Sequence, residues 1–193
     1  MHVWAVANQK GGVGKTTSTV CLAGLLGEQG HKVLMVDLDP HGSLTSYFKY
    51  DPDDINLSVY DLFMHEGKVP EDLPKDIIVP TCQPGVDLFP ASTALATLER
   101  KVATQGGMGL VISKSLATLW DQYQYVIIDT PPILGVLMIN ALAAAQKLLI
   151  PVQTEYLAVK GLERMTHTLS MVMQSTNKQL PFTIIPTLYD RRT

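Results

Sequence analysis

The 193-residue chain has little of what marks membrane, secreted or metal-clustering proteins. It contains no run of about 18 uncharged apolar residues, so no transmembrane helix is expected. Its amino terminus enters an apolar strand directly, without the basic-then-apolar layout of a signal peptide, and the expected location is the cytoplasm. Cysteine occurs only at Cys21 and Cys82, in no C-x-x-C setting, which suggests neither a disulfide framework nor a metal site. Cys21 is expected inside the first helix as a small buried hydrophobe. The five histidines lack ligand spacing. Among them His41 draws interest for its acidic neighbours. Repeats and low-complexity segments are absent. The net charge of −3 gives no global pull toward nucleic acid. That charge is uneven: residues 1–150 carry 10 Lys+Arg against 15 Asp+Glu, and residues 151–193 carry 5 against 3. An anionic partner should therefore prefer the C-terminal end.

What is present is enough apolar residue, 46% of the chain, to build one domain with a sizeable core. The organising stretch is Lys10-Gly11-Gly12-Val13-Gly14-Lys15-Thr16-Thr17. It lies between an apolar strand over 3–7 and a predicted helix over 16–28. Strand, glycine loop and helix form the context in which a phosphate-binding loop is credible. The helix start offers unpaired N–H groups and the positive end of its dipole. Gly11, Gly12 and Gly14 let the backbone approach phosphate oxygens, with Val13 and Thr17 completing the loop. Lys15 would reach the β- and γ-phosphates, and the Thr16 hydroxyl would ligate Mg²⁺. The common pattern wants glycine at position 9. This chain has Gln9, and a second lysine, Lys10, opens the glycine run.

Strands are predicted over 33–37, 77–79, 86–89, 125–129, 147–152 and 182–186. Helices are predicted over 59–65, 91–103, 110–120, 134–145 and 156–174. Residues 106–109 read as a flexible glycine joint. Leu110, Leu116, Leu119 and Trp120 are expected to serve the core, as is the Leu162–Met165–Leu169–Val172–Met173 stripe of the last helix. Alternating strands and helices argue an α/β fold with a doubly wound, mainly parallel sheet flanked by helices. The last strand would leave one face without its helix, so a C-terminally truncated or short protein is expected.

Three carboxylates stand where such a sheet binds ligands, at the carboxyl ends of strands. Asp129 follows an apolar strand and has the place of a Walker B acid, holding Mg²⁺ through water. Asp37 and Asp39 are two apart on an extended segment and share a direction. One could support the metal's water shell and the other orient the attacking water. Asp39, lying further out, is favoured for the water, with Asp37 behind it. Thr16, Asp129 and Asp39 are thus the candidate metal-site residues.

Together, Lys10-Gly-Gly-Val-Gly-Lys15-Thr-Thr, Val36-Asp-Leu-Asp-Pro40 and Ile128-Asp-Thr-Pro-Pro132 resemble the ParA/MinD (Soj-like) ATPases, a deviant-Walker-A class of P-loop NTPases. Further matches run through Asn140 to Ala145, Pro151 to Tyr156 and Thr187-Leu-Tyr-Asp190, so the similarity covers essentially all of residues 1–193 as a single P-loop ATPase domain. The ParA branch fits best. The resemblance implies two ATP-bound subunits closing face to face, with Lys10 reaching the partner's nucleotide and Gly12 permitting close approach. It implies Lys10, Lys15 and Asp39 as catalytic residues and adds Asp37, Tyr189 and Asp190 to the nucleotide-binding set. ATP, ADP and Mg²⁺ are the implied ligands, and slow, partner-stimulated ATP hydrolysis the implied activity, far below about 1 s⁻¹ when unstimulated. The ATP dimer would bind nonspecific DNA through Arg192, helped by Arg191. Its cargo would be a plasmid, chromosome or chemotaxis and polar machinery, and a ParB-like or chemotaxis-array adaptor would stimulate it. Nucleoid or polar placement would follow. Four arginines per dimer would give a log–log salt slope of about −3.6. Two departures stand out. His41 and Ser43 replace the usual Gln and Asn, a variant similar to chemotaxis- or flagellum-associated members. Family members also continue further, with sheet-covering helices and more basic positions that this chain lacks. The alternatives are a MinD-like membrane-associated switch, which would need a basic amphipathic C-terminal helix absent here, or a metabolic ATP-dependent enzyme of the same fold, which would not need Lys10.

Overall fold

The computed structural model describes residues 1–98, 108–176 and 179–189. Seven strands form one sheet: β1 (His2–Val6), β2 (Val33–Asp37), β3 (Val79–Pro80), β4 (Val86–Phe89), β5 (Tyr125–Asp129), β6 (Lys147–Gln153) and β7 (Phe182–Thr187). Their order is β3-β4-β2-β5-β1-β6-β7. Every pairing is parallel except that of the edge strand β3, which runs antiparallel to β4. Among the described residues the helices are α1 (Lys15–Glu28), α2 (Ser43–Tyr47), α3 (Val59–Leu62), α4 (Leu73–Asp76), α5 (Val111–Ala117), α6 (Val136–Ala144) and α7 (Tyr156–Thr176). Short 3₁₀ turns cover Phe63–His65, Thr93–Thr97 and Met108–Leu110.

The central strands are apolar along their whole length because both faces are covered. All five residues of β2 are buried, as expected for a parallel strand between helical layers. Val3, Ala5, Leu34, Val36, Val126 and Ile128 face a larger core shared with α5, α6 and α7. There Met165 and Leu169 of the last-helix stripe are buried, with Leu162, Val172 and Met173 packed against them. Val6, Val33, Met35 and Ile127 face a smaller core under α1.

Helix α1 touches the sheet through a narrow spine of Thr19 and Ala23, continued by Gly27. A Cβ at Gly27 would stand 2.7 Å from Val86 Cγ2, so the helix lies too close for larger side chains. Cys21 sits two residues from Thr19, on the opposite face of a 3.6-residue helix. It is exposed, not the buried hydrophobe expected from its neighbours.

Other expectations also shift. Leu110, in the 3₁₀ turn before α5, and Trp120, past the helix end at Ala117, are about half exposed; Leu116 and Leu119 do enter the core, beside Val111 and Ile112. Ile77 closes α4 as a buried residue, and the strand begins only at Val79. Of the helix predicted over 91–103, the 3₁₀ turn Thr93–Thr97 is seen, and residues from 99 onward lie outside the described residues. In the predicted glycine joint, Met108 is buried at the start of a 3₁₀ turn, and residues 106–107 lie outside the described set. Among the described residues, no helix is long and apolar enough to cross a membrane.

Sheet register positions the site. Val6 pairs with Asp129, and Asp37 pairs with the same residue from the other side. The loop leaving β1 thus lies level with the carboxylate-bearing ends of β5, its neighbour, and of β2, one strand beyond. Cross-strand bonds stitch these ends together: the Thr130 hydroxyl donates to the Val6 carbonyl at 3.0 Å, and the Leu38 N–H to the Asp129 carbonyl at 3.0 Å.

Candidate nucleotide site

Buried Asn8 starts the loop, donating from Nδ2 to the Pro151 carbonyl at 2.7 Å and accepting the Lys10 N–H at 3.1 Å. Gln9 donates to the Thr168 hydroxyl of α7 at 2.7 Å. The residue that departs from the common glycine pattern is therefore a tether to the last helix. Gly12 and Gly14 have φ of 71° and 86°, left-handed values that any side chain would strain. Gly14 caps α1 without a side-chain bond, and the first turn carries no acidic residue. The first turn lies against the cleft with the dipole's positive end toward it, an arrangement suited to a polyphosphate. The Thr187 hydroxyl, from the end of β7, donates to the Val13 carbonyl at 2.8 Å and holds the far side of the loop.

Lys15 is largely buried and folds back over the loop, donating to the Lys10 carbonyl at 3.2 Å. Burial pushes its ammonium below the ordinary lysine value, while the charges of Asp129 and Asp39 pull the other way. The Thr16 hydroxyl faces Asp129 and donates to its Oδ2 at 2.6 Å. Burial, reinforced by the charge of Asp37, pushes the Asp129 carboxyl up to about 7, with the Thr16 bond and Lys15 opposing. Asp37, fully buried, is pushed up to about 6, again chiefly by burial. Its Oδ2 accepts from both the hydroxyl (2.7 Å) and N–H (2.9 Å) of Thr45, and its Oδ1 from the Asp39 N–H at 3.1 Å. The Thr45 hydroxyl oxygen in turn accepts the Ala91 N–H. Asp37 thus shapes the segment from within, whereas Asp39 lines the cleft. Asp39 Oδ1 receives the His41 N–H at 3.0 Å and lies 2.7 Å from His41 Nδ1.

These groups surround a cleft of about 520 Å³ at the carboxyl ends of the strands. Gly11, Gly12, Gly14, Lys15, Thr16 and Thr17 form its floor, with Asp39, His41, Ser43, Pro132 and Leu188 around it. Leu188 has a φ of 52°, a strained value for a leucine, and is mostly exposed at the rim. Tyr189 is exposed beside it and does not line the cleft. Asp190, Arg191 and Arg192 lie outside the described residues. The Lys10 ammonium pairs within its own chain, donating to Gln153 Oε1 at 2.8 Å and to Glu155 Oε1 just beyond β6. Those two partners, together with Thr45, Thr187 and Leu188, escaped the sequence reading. Gln153, Glu155, Thr187 and Leu188 fall in stretches that match the family, the one signal that could have raised them.

A protein-family model described as an AAA domain matches residues 1–182. The sporulation initiation inhibitor protein Soj of Bacillus subtilis is 38% identical over 98% of this chain and 73% of its own length. The chain belongs to the ParA/Soj family of P-loop ATPases. The chromosome partitioning protein ParA of Myxococcus xanthus is 37% identical over 99% of this chain and 66% of its own length. Among solved structures, cobyrinic acid a,c-diamide synthase from Mycobacterium smegmatis, with bound ATP analog and magnesium, matches at a TM-score of 0.92. It is 42% identical, and the match covers 100% of this chain and 77% of that one. The expected doubly wound sheet is therefore the fold of this ParA/Soj family member.

Hard oxygen donors at Thr16 and Asp129, close together beside a nest of N–H groups, fit Mg²⁺ shared with phosphate oxygens and water. Lys15 and the glycine loop supply the complementary charge for the phosphates.

Proposed function

We propose that this ParA/Soj-family chain binds Mg²⁺·ATP in the cleft, hydrolyses it slowly, and uses the nucleotide state as a dimerisation switch. The observation that carries this reading is the convergence of Lys15, the Thr16–Asp129 pair and Asp39 on one cleft floored by the glycine loop. Loop N–H groups and Lys15 hold the β- and γ-phosphates, while Thr16 would ligate the metal and Asp129 hold it through water. Mg²⁺, when bound, neutralises charge on the phosphate oxygens. Asp39, at the cleft wall, orients the attacking water, while Asp37 keeps the segment in place through Thr45. Tyr189, exposed beside Leu188 at the rim, and Asp190, by its place in the sequence, are assigned to the nucleotide as well.

Lys10 is the element that makes the switch bimolecular. It stands at the loop's edge with its ammonium held by Gln153 and Glu155. In the ATP dimer it leaves these partners for the nucleotide of the other subunit, whose triphosphate carries more negative charge than a single carboxylate. The dimer binds nonspecific DNA, with Arg191 and Arg192 as contacts, and positions a cargo of the plasmid, chromosome or chemotaxis-machinery kind. A ParB-like or array adaptor protein stimulates hydrolysis and resets it. The chromosome partitioning named for the M. xanthus relative supports the chromosome member of this cargo class. With Lys15→Ala, nucleotide binding measured by fluorescence titration should be lost. Unchanged affinity would refute the loop assignment.

The M. smegmatis neighbour favours a second reading, a metabolic ATP-dependent enzyme on the same fold. Lys10→Ala separates the two. A ligase keeps its nucleotide turnover in that variant, whereas a dimer switch loses both turnover and nucleotide-dependent association.

A further inference from the structure

We infer that His41 is a positioning residue for hydrolysis, acting by fixing which oxygen of Asp39 faces the phosphates. The inference rests on the proposed role of Asp39 in orienting water. A carboxylate only accepts hydrogen bonds, so the 2.7 Å contact requires the hydrogen to sit on His41 Nδ1. The same Asp39 Oδ1 also takes the His41 backbone N–H at 3.0 Å. One residue therefore closes on one oxygen twice, with ring and backbone, and commits that oxygen. Asp39 Oδ2 is left to address the cleft that both residues line.

The turn beneath is built to hold this geometry. Pro40 fixes its own φ, and the Gly42 N–H returns to the Asp39 carbonyl at 2.8 Å. Gly42 has a φ of 59°, and a Cβ there would lie 2.3 Å from Pro52 Cγ, so the backbone on the far side of His41 is clamped as well. Only the ring is free, and it is about 80% exposed. In the open cleft, water competes for its hydrogen. Once nucleotide and a partner subunit cover the cleft, the bond strengthens, so its effect falls on the chemical step more than on nucleotide capture. Histidine here stands where ParA-like proteins often carry glutamine, whose amide reaches one bond further out and cannot close so tight a ring.

The test is steady-state phosphate release with Mg²⁺·ATP for His41→Ala, His41→Asn and His41→Phe, alone and in the Asp39→Ala background. Asparagine places an N–H at the same remove from Cγ as Nδ1, and phenylalanine keeps the ring without a donor. Losing a hydrogen bond to a charged group should lower kcat about 10-fold in His41→Ala and His41→Phe, with KM changed less than about 2-fold. His41→Asn should recover to within about 3-fold of wild type, and His41→Ala should add nothing to Asp39→Ala. If Asp39→Ala is impaired but His41→Ala turns over normally, the inference is wrong and the role of Asp39 stands. An Asn variant as slow as Ala also overturns it. Normal turnover in Asp39→Ala instead removes the reading on which the inference rests.

Discussion

Removing the charge from Asp129 should stabilise the protein without its ligands. Its carboxyl is pushed up to about 7 in the folded chain, against an ordinary value of 3.8, chiefly by burial between two other strands. Between those two values the folded state holds a proton that the unfolded state has released, so stability falls as pH rises. The favourable contribution is complete below about pH 4 and is lost as pH climbs through about 7. Three units at about 1.4 kcal/mol each give a loss of about 4 kcal/mol across that window. Asp37, pushed up to about 6, changes in the same direction. The two repel each other across β2 and β5, so part of one effect is contained in the other and the sum is smaller than the separate parts. Asp129→Asn keeps an oxygen to accept the Thr16 hydroxyl and never ionises. It should match the wild type near pH 4 and exceed it at pH 8 by up to about 4 kcal/mol, the attraction to Lys15 being already contained in the raised value. Urea unfolding of both proteins at pH 4.5, 6 and 8 measures this directly. A variant less stable than wild type at pH 8 would show that the Thr16–Asp129–Lys15 cluster stabilises the fold, and that the carboxylate is not held there at a cost.

Binding of Mg²⁺·ATP should keep Asp129 ionised, so calorimetric enthalpies at pH 6.5 should change with buffer ionisation enthalpy and reveal proton release; buffer-independent values would exclude it. Gly42→Ala meets both a left-handed φ and Pro52, and should cost about 2–4 kcal/mol in chemical denaturation. Glu155→Gln weakens the intrachain hold on Lys10. It should leave the unfolding midpoint within error and raise the dimer fraction at subsaturating ATP, and a lower fraction would mean that Glu155 serves the dimer itself. Thr187→Val removes the bond to Val13 and should destabilise by about 1 kcal/mol while raising the KM for ATP.

Most of the sheet could be anticipated because β2 and β5 are unbroken apolar runs that end in a carboxylate. The loop was legible for the same local reason: glycine, lysine and threonine sit in consecutive positions between a strand and a helix. Longer-range features were not. Lys10 is held by Glu155 across 145 residues, and nothing near Lys10 announces that partner. Helix α2 was missed because it is capped by a left-handed glycine, Gly42, with no side-chain bond. Its Thr45 is what occupies Asp37, which is why two carboxylates expected to share a direction divide into one inward and one toward the cleft. Cys21 was misjudged because α1 packs through Thr19, Ala23 and Gly27, and such a small-residue spine leaves no amphipathic signal to orient the helix.

The central claim is that ATP joins two copies of this chain until it is cleaved. Sedimentation velocity of Asp39→Ala with Mg²⁺·ATP and with Mg²⁺·ADP tests it most directly. The account predicts a doubled mass with ATP, a single chain with ADP, and a single chain in both for Lys10→Ala/Asp39→Ala. An Asp39→Ala protein that binds ATP yet sediments as one chain throughout would contradict it.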